Sequence, residues 1–160
     1  MNRSLHIALL TSTALSLAAC DLVEQADASG SCKGMVGTTS VEGELAADSE
    51  FHRDDRHFGA EAAFLNLSTA SGALRIYAHL EDMPSDSDVG THPLVPLTGF
   101  VDTWRIDSPI HAPSLTAGSF TLTSASRELI EGSFEMAFAD GSKASCQFSI
   151  PRNYSLDTDD

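Results

Sequence analysis

His52 and His57 bracket the run His52-Arg53-Asp54-Asp55-Arg56-His57. Imidazole and carboxylate are suitable ligands for Zn²⁺ or Cu²⁺, so in a loop His52, Asp54 and His57 could converge on a divalent cation. On a helix that spacing turns through about 500° and holds the two rings apart. Arg53 and Arg56 also offer the two aspartates ion pairs, which makes a solvated polar loop the competing expectation. A second candidate is the acidic stretch Glu81-Asp82 and Asp86-Ser87-Asp88. Oxygen-rich loops bind Ca²⁺. With Asp86 as first ligand, however, Gly90 stands where a third oxygen belongs and Leu97 where the closing Glu belongs, so the EF-hand pattern fails. One reading is therefore a metal- or calcium-dependent binding module built on His52, Asp54, His57, Asp86 and Asp88. A small envelope hydrolase is a further alternative. G-x-S-x-G, HExxH and P-loop patterns are absent, and no Ser, His and carboxylate spacing singles out a trio. No catalytic residue and no cofactor are expected.

The three cysteines carry more specific chemistry. Met1 to Ala19 has one early positive charge, Arg3, then an apolar stretch from Leu5, the pattern of a secretory leader. That stretch is shorter than the roughly 20 residues a membrane-spanning helix needs. Leu17-Ala18-Ala19-Cys20 resembles the lipobox of bacterial lipoproteins, with Leu three positions before Cys and small residues between. The resemblance implies removal of residues 1–19 and acylation of Cys20 by diacylglycerol and a further chain such as palmitate. Several acyl chains anchor a protein stably where one does not. Asp21 resembles an inner-membrane retention signal, but the choice between inner and outer membrane stays open. With Cys20 taken by lipid, Cys32 and Cys146 remain as an even pair in an oxidising compartment. Bonding them would close a loop of about 113 residues, which chain entropy values at roughly 4.7 kcal/mol. Two free thiols are the alternative; a CxxC redox motif is absent.

The charge balance excludes other roles. Nine Lys+Arg against 23 Asp+Glu give a formal net charge of -14, the wrong sign for holding nucleic acid by its phosphates. The same charge repels an anionic membrane surface, so lipid rather than electrostatics would hold the protein there. The expected partners are a membrane, through the N-terminal lipid, and an envelope protein.

These groups need a scaffold, and its dominant period is two. Leu74, Ile76, Ala78 and Leu80 alternate with Arg75, Tyr77, His79 and Glu81, a half-buried strand pattern. Phe120 and Leu122 alternate with hydroxyl residues. Phe134, Met136 and Phe138 form one face of a run, and Ala144, Cys146, Phe148 and Ile150 one face of the next. Ala139-Asp140-Gly141-Ser142 between the last two predicts a hairpin with a type I′ turn. Weaker strands are expected at 38–45, 99–107 and 128–132. The stretch 54–67 reads either as a helix capped by Asp or as a strand from about Glu61. Trp104 is expected to pack between sheets rather than to serve as an exposed contact.

The sequence thus predicts an antiparallel β-sandwich or small barrel of about seven strands. Residues 20–31 read as a flexible tether, 32–153 as the domain and 154–160 as an acidic tail. Gly118-Ser119-Phe120 and Gly132-Ser133-Phe134, followed by Phe138-Ala139-Asp140-Gly141, resemble the G-x-aromatic strand grammar of uncharacterised bacterial β-sandwich lipoproteins. That resemblance implies a fold and brings no catalytic residue with it. The expectation is a lipid-anchored cell-envelope protein, periplasmic or surface-exposed, with a non-catalytic binding or accessory domain.

Overall fold

The period-two runs form strands with their apolar members facing inward. The computed structural model describes residues 26–54, 62–97, 99–106 and 111–157, and these form eleven strands in two antiparallel sheets. The larger sheet contains β1 (Ser29–Val36), β2 (Thr39–Ser40), β3 (Gly43–Glu44), β7 (Gly90–Pro93), β9 (Leu115–Ala125), β10 (Leu129–Phe138) and β11 (Lys143–Pro151). Its order is β2-β1-β11-β10-β9-β7, with β3 also paired to β1. The smaller sheet holds β4 (Glu50–Arg53), β5 (Ala63–Ser68), β6 (Arg75–Leu80) and β8 (Val101–Ile106), in that order.

The fold is the expected all-β sandwich, with eleven strands where about seven were anticipated. The run 38–45 splits into β2 and β3, which pair with opposite ends of β1. β4 and β7 are short and polar, each sending one large side chain inward: Phe51 is fully buried, and the His92 ring lies 4.8 Å from Phe100. The weak strand at 128–132 runs on into the hairpin as one strand, β10. The ambiguous 54–67 stretch resolves as strand over Ala63–Ser68, and residues 55–61 lie outside the described residues.

The β10–β11 hairpin forms where Asp-Gly predicts it, with a different turn. Ala137 pairs with Lys143, Gly141 N–H donates to the Phe138 carbonyl at 3.0 Å, and Phe138 N–H donates to the Ser142 carbonyl at 3.0 Å. Among the described residues only glycines have positive φ, Gly141 at 86°. Asp140 therefore cannot supply the second positive φ of a type I′ turn. The loop is the three-residue kind that ends on a left-handed glycine.

Packing also explains the glycine-aromatic grammar. In the large sheet Phe148 pairs with Gly30 on one side and Gly132 on the other, and its ring tip lies 3.0 Å from where a Gly132 Cβ would sit. That Cβ would also collide with the Thr121 carbonyl. Glycine on the neighbouring strands leaves space that the ring fills. Phe120, Phe134 and Phe148 then cluster, with centroids 4.9 Å apart for Phe120–Phe134 and 5.8 Å for the other two pairs. Across the core stand mostly aliphatic residues of the small sheet, including Leu65, Leu67, Ile76, Ala78 and Leu80.

Two seams tie the sheets together. At one, Ala46 N–H donates to the Ser68 carbonyl at 2.8 Å and Ala70 N–H to the Glu44 carbonyl at 2.9 Å. At the other, the chain leaves β11 and lies along β4: Asn153 N–H donates to the Phe51 carbonyl at 2.8 Å, and Phe51 bridges Arg152 in parallel. β1 begins at Ser29, with Ala28 already buried, inside the segment expected to be tether. Tyr154–Leu156 forms a 3₁₀ turn rather than the start of a fraying tail, and Asp157 is held against β4.

Candidate functional site

Of the residues singled out from the sequence, Cys20 and His57 lie outside the described residues. Cys32 and Cys146 stand opposite each other on β1 and β11, Cα atoms 4.0 Å apart, joined as a disulfide. Both are almost fully buried, so the bond staples the first strand of the domain to the last.

His52 and Asp54 are buried rather than placed on a solvated loop. His52 sits within β4, its ring 5.2 Å from Phe64, and Asp54 follows β4 with its N–H donating to the Ala62 carbonyl at 2.8 Å. Asp86 and Asp88 lie in a 3₁₀ turn between β6 and β7. The Asp88 carboxylate accepts the Ser85 N–H at 2.9 Å and the Ser85 hydroxyl at 2.6 Å, capping that turn. Among the described residues no three His, Cys, Asp or Glu side chains come together as a metal would require.

Three surfaces have concave or concentrated chemistry. The first is a trough of about 630 Å³ on the outer face of the large sheet. Lys33, Ser145, Glu135 and Ser119 form one row across β1, β11, β10 and β9, and Lys143, Ala137 and Ala117 form the next. Outward residues of a strand alternate with the core residues, and here most are small. Gly34, Gly118, Met136 and Ala144 complete the lining. Hydroxyls continue along the face at Ser31, Ser133, Thr121 and Thr91. The trough offers hydroxyls, one carboxylate and two ammonium groups, with no imidazole in its lining.

The second is the outer face of the small sheet. Phe64 is its centre, with centroids 5.4 Å from Tyr77 and 4.9 Å from His79. The Arg105 guanidinium lies over Tyr77 at 4.8 Å, a cation–π arrangement. Phe64, Tyr77, His79, Thr103, Trp104 and Arg105 line a cleft of about 180 Å³. Trp104 pairs with Ala78 and packs against the core while staying half-buried, close to the expected place between the sheets.

The third was not visible in the sequence. Arg53, Arg127 and Arg152 come from separate parts of the chain yet line one cleft of about 40 Å³ with Met83. Asp157 holds Arg152 to β4: its Oδ2 accepts from Arg152 Nη2 at 2.8 Å, and its Oδ1 accepts from Arg152 Nε at 3.3 Å and from the Arg53 N–H at 2.9 Å. The only hint in the sequence is scarcity: in a chain with nine basic residues, any gathering of three is informative.

Electrostatics adds one detail, at the hairpin. The Ser142 hydroxyl and then the Ser142 N–H donate to Asp140 at 2.6 and 3.0 Å, which holds that carboxyl below its ordinary value of 3.8.

No family model matches the chain, and neither a curated protein nor a solved structure is measurably similar to it.

Proposed function

We propose that the chain is a lipid-anchored protein of the bacterial cell envelope, whose β-sandwich acts by binding or as an accessory rather than by catalysis. The anchor reading rests on Leu17-Ala18-Ala19-Cys20 and the leader before it. The observation that carries the binding reading is the position and lining of the trough. The chain from Cys20 enters the domain at Ser29, which pairs with Ser149. The trough lies further along, where Lys33 and Gly34 pair with Ser145 and Ala144, about 13 Å away at the rise of an antiparallel strand. A tether at one end of the sheet thus leaves the trough towards the other, where a partner can reach it. Its lining is mostly apolar, set with a few hydroxyls and opposed charges, and lacks an imidazole to activate Ser119 or Ser145.

The anchor is tested by Cys20→Ala in the full chain. Loss of metabolic acyl labelling, with accumulation of unprocessed precursor, is the expected result. Labelling that persists at the wild-type level overturns the reading.

A further inference from the structure

We infer that the trough on the outer face of the large sheet takes a fatty acid, its carboxylate at two lysines over β1 and β11 and its alkyl chain laid across β10 and β9. The inference rests on the reading of that trough as a binding surface and names the ligand. Lys33 and Lys143 are the only lysines in the sequence, and both line the trough. Lysines often guard the exposed edge of a sheet against pairing with another chain. That does not explain these two, because β11 lies between β1 and β10, and β1 between β11 and the pair β2 and β3.

Strand register puts the charge at one end of the trough. Lys33 pairs with Ser145, and Lys143 stands two residues before Ser145 on the same strand. The lysines are therefore diagonal neighbours, roughly 7–8 Å apart at the backbone, a distance that long side chains bridge. Glu135 also pairs with Ser145, and so lies diagonal to Lys143. Yet among the described residues neither ammonium group makes a hydrogen bond or an ion pair, and nor does the Glu135 carboxylate. Away from the lysines the lining turns apolar, with Met136 and Ala137 on β10 and Ala117 and Gly118 on β9. From β1 to β9 the trough crosses three strand spacings, about 14 Å. A cationic end and an apolar end in one open trough match a ligand with an anionic head and a hydrocarbon tail.

The surroundings narrow that ligand further. Two ammonium groups and one carboxylate leave a single net positive charge in the lining, which suits a monoanion. Lysine acts as a compact point charge, whereas arginine supplies the fork that grips phosphate, so a carboxylate head fits better. β11, β10 and β9 each have a neighbouring strand on both sides, so their backbone donors and acceptors serve the sheet. A floor of that kind accepts an alkyl chain and has little to offer a sugar ring, whose hydroxyls need partners. The volume of about 630 Å³ falls within the roughly 300–1,000 Å³ of small-ligand sites. A second copy of the chain is disfavoured, because each carries a net charge of -14 and the two repel.

The test is calorimetric titration of the full chain, made by cell-free synthesis without membranes so that neither acylation nor detergent enters, with dodecanoate below its micellar concentration. Acetate supplies the head alone, and dodecyltrimethylammonium the same chain with a positive head. Dodecanoate is expected to bind, acetate to give no heat of binding, and the cationic amphiphile to bind at least tenfold more weakly than dodecanoate. Lys33→Gln combined with Lys143→Gln should weaken dodecanoate at least tenfold, whereas Glu135→Gln should not weaken it. Absence of dodecanoate binding, equal binding of the cationic amphiphile, or full binding in the double lysine variant overturns the ligand class. Ala137→Trp fills the trough and tests the place: dodecanoate binding that survives it overturns the trough as the binding surface. Failure of that reading and failure of the fatty-acid assignment are thus distinguishable. Should Ala137→Trp fail to fold, Ala117→Trp, at an exposed position of the same row, decides in its place.

Discussion

The large sheet turns its aromatic rings inward and small hydroxyl residues outward, whereas the small sheet does nearly the reverse. Phe120, Phe134 and Phe148 are buried under one sheet, and outside it lie Ser31, Ser133, Ser145 and Thr121. In the other sheet Leu65, Leu67, Ile76 and Ala78 are buried, while Phe64, Tyr77, His79 and Arg105 gather on the outer face. In the first arrangement rings fill spaces left by glycine on adjacent strands. The second keeps polarisable and titratable groups off the core, where solvent and ligands can meet them.

The comparison is most sharply tested by truncating one ring in each sheet. Phe148→Ala should destabilise by about 3–5 kcal/mol, because it opens a cavity beside Gly30 and Gly132 that the sheet cannot collapse. Phe64→Ala should lose only about 1–2 kcal/mol, since solvent already reaches part of that ring. Urea unfolding monitored by Trp104 fluorescence measures both, and equal losses would break the contrast.

The disulfide should come next. Cys32→Ala combined with Cys146→Ala is expected to lower stability by about 2–5 kcal/mol, because separation along the chain is 114 residues and the unfolded state is strongly constrained by the bond. Both cysteines belong to the large sheet, so amide exchange should speed up first along β1 and β11. Loss of protection beginning in the small sheet would contradict this.

The smallest effect concerns the hairpin. Ser142→Ala removes the leading cause of the lowered Asp140 pKa, so the Asp140 titration should move up towards 3.8 by carboxyl NMR. A depressed folded-state pKa contributes stability that is present above the unfolded-state value and lost as pH falls through the folded one. The wild-type hairpin should therefore loosen only at strongly acidic pH, and the variant should show less of this dependence. An unmoved titration would remove Ser142 as the cause.

Much of the fold was legible because side-chain direction in a strand is a local property. Phe134, Met136, Phe138, Ala144, Cys146, Phe148 and Ile150 were assigned to the core from alternation alone, and all seven are buried. β4 and β7 were missed because each sends a single large side chain inward, too few for a period to show. The Asp140-Gly141 turn was placed correctly and typed wrongly, since dipeptide chemistry does not reveal how many residues the loop spans. His52 and Asp54 read as a solvated loop because their neighbours are charged, and packing buries them nonetheless. For the candidate sites little was legible. Cys32 and Cys146 could be paired by counting, whereas nothing near Arg53 in the chain points to Arg127 or Arg152.

Alternation and cysteine arithmetic by themselves pointed to an antiparallel β-sandwich or small barrel, to the residues that face its core and to the two sulfurs available to join. Both depend on neighbours along the chain or on a count. Only the tertiary structure decided which distant side chains share a surface: Lys33 with Lys143 across β1 and β11, and three arginines on one cleft. Register between strands is set by the packing of the whole core, so these neighbours become defined only once the sheets have closed on each other.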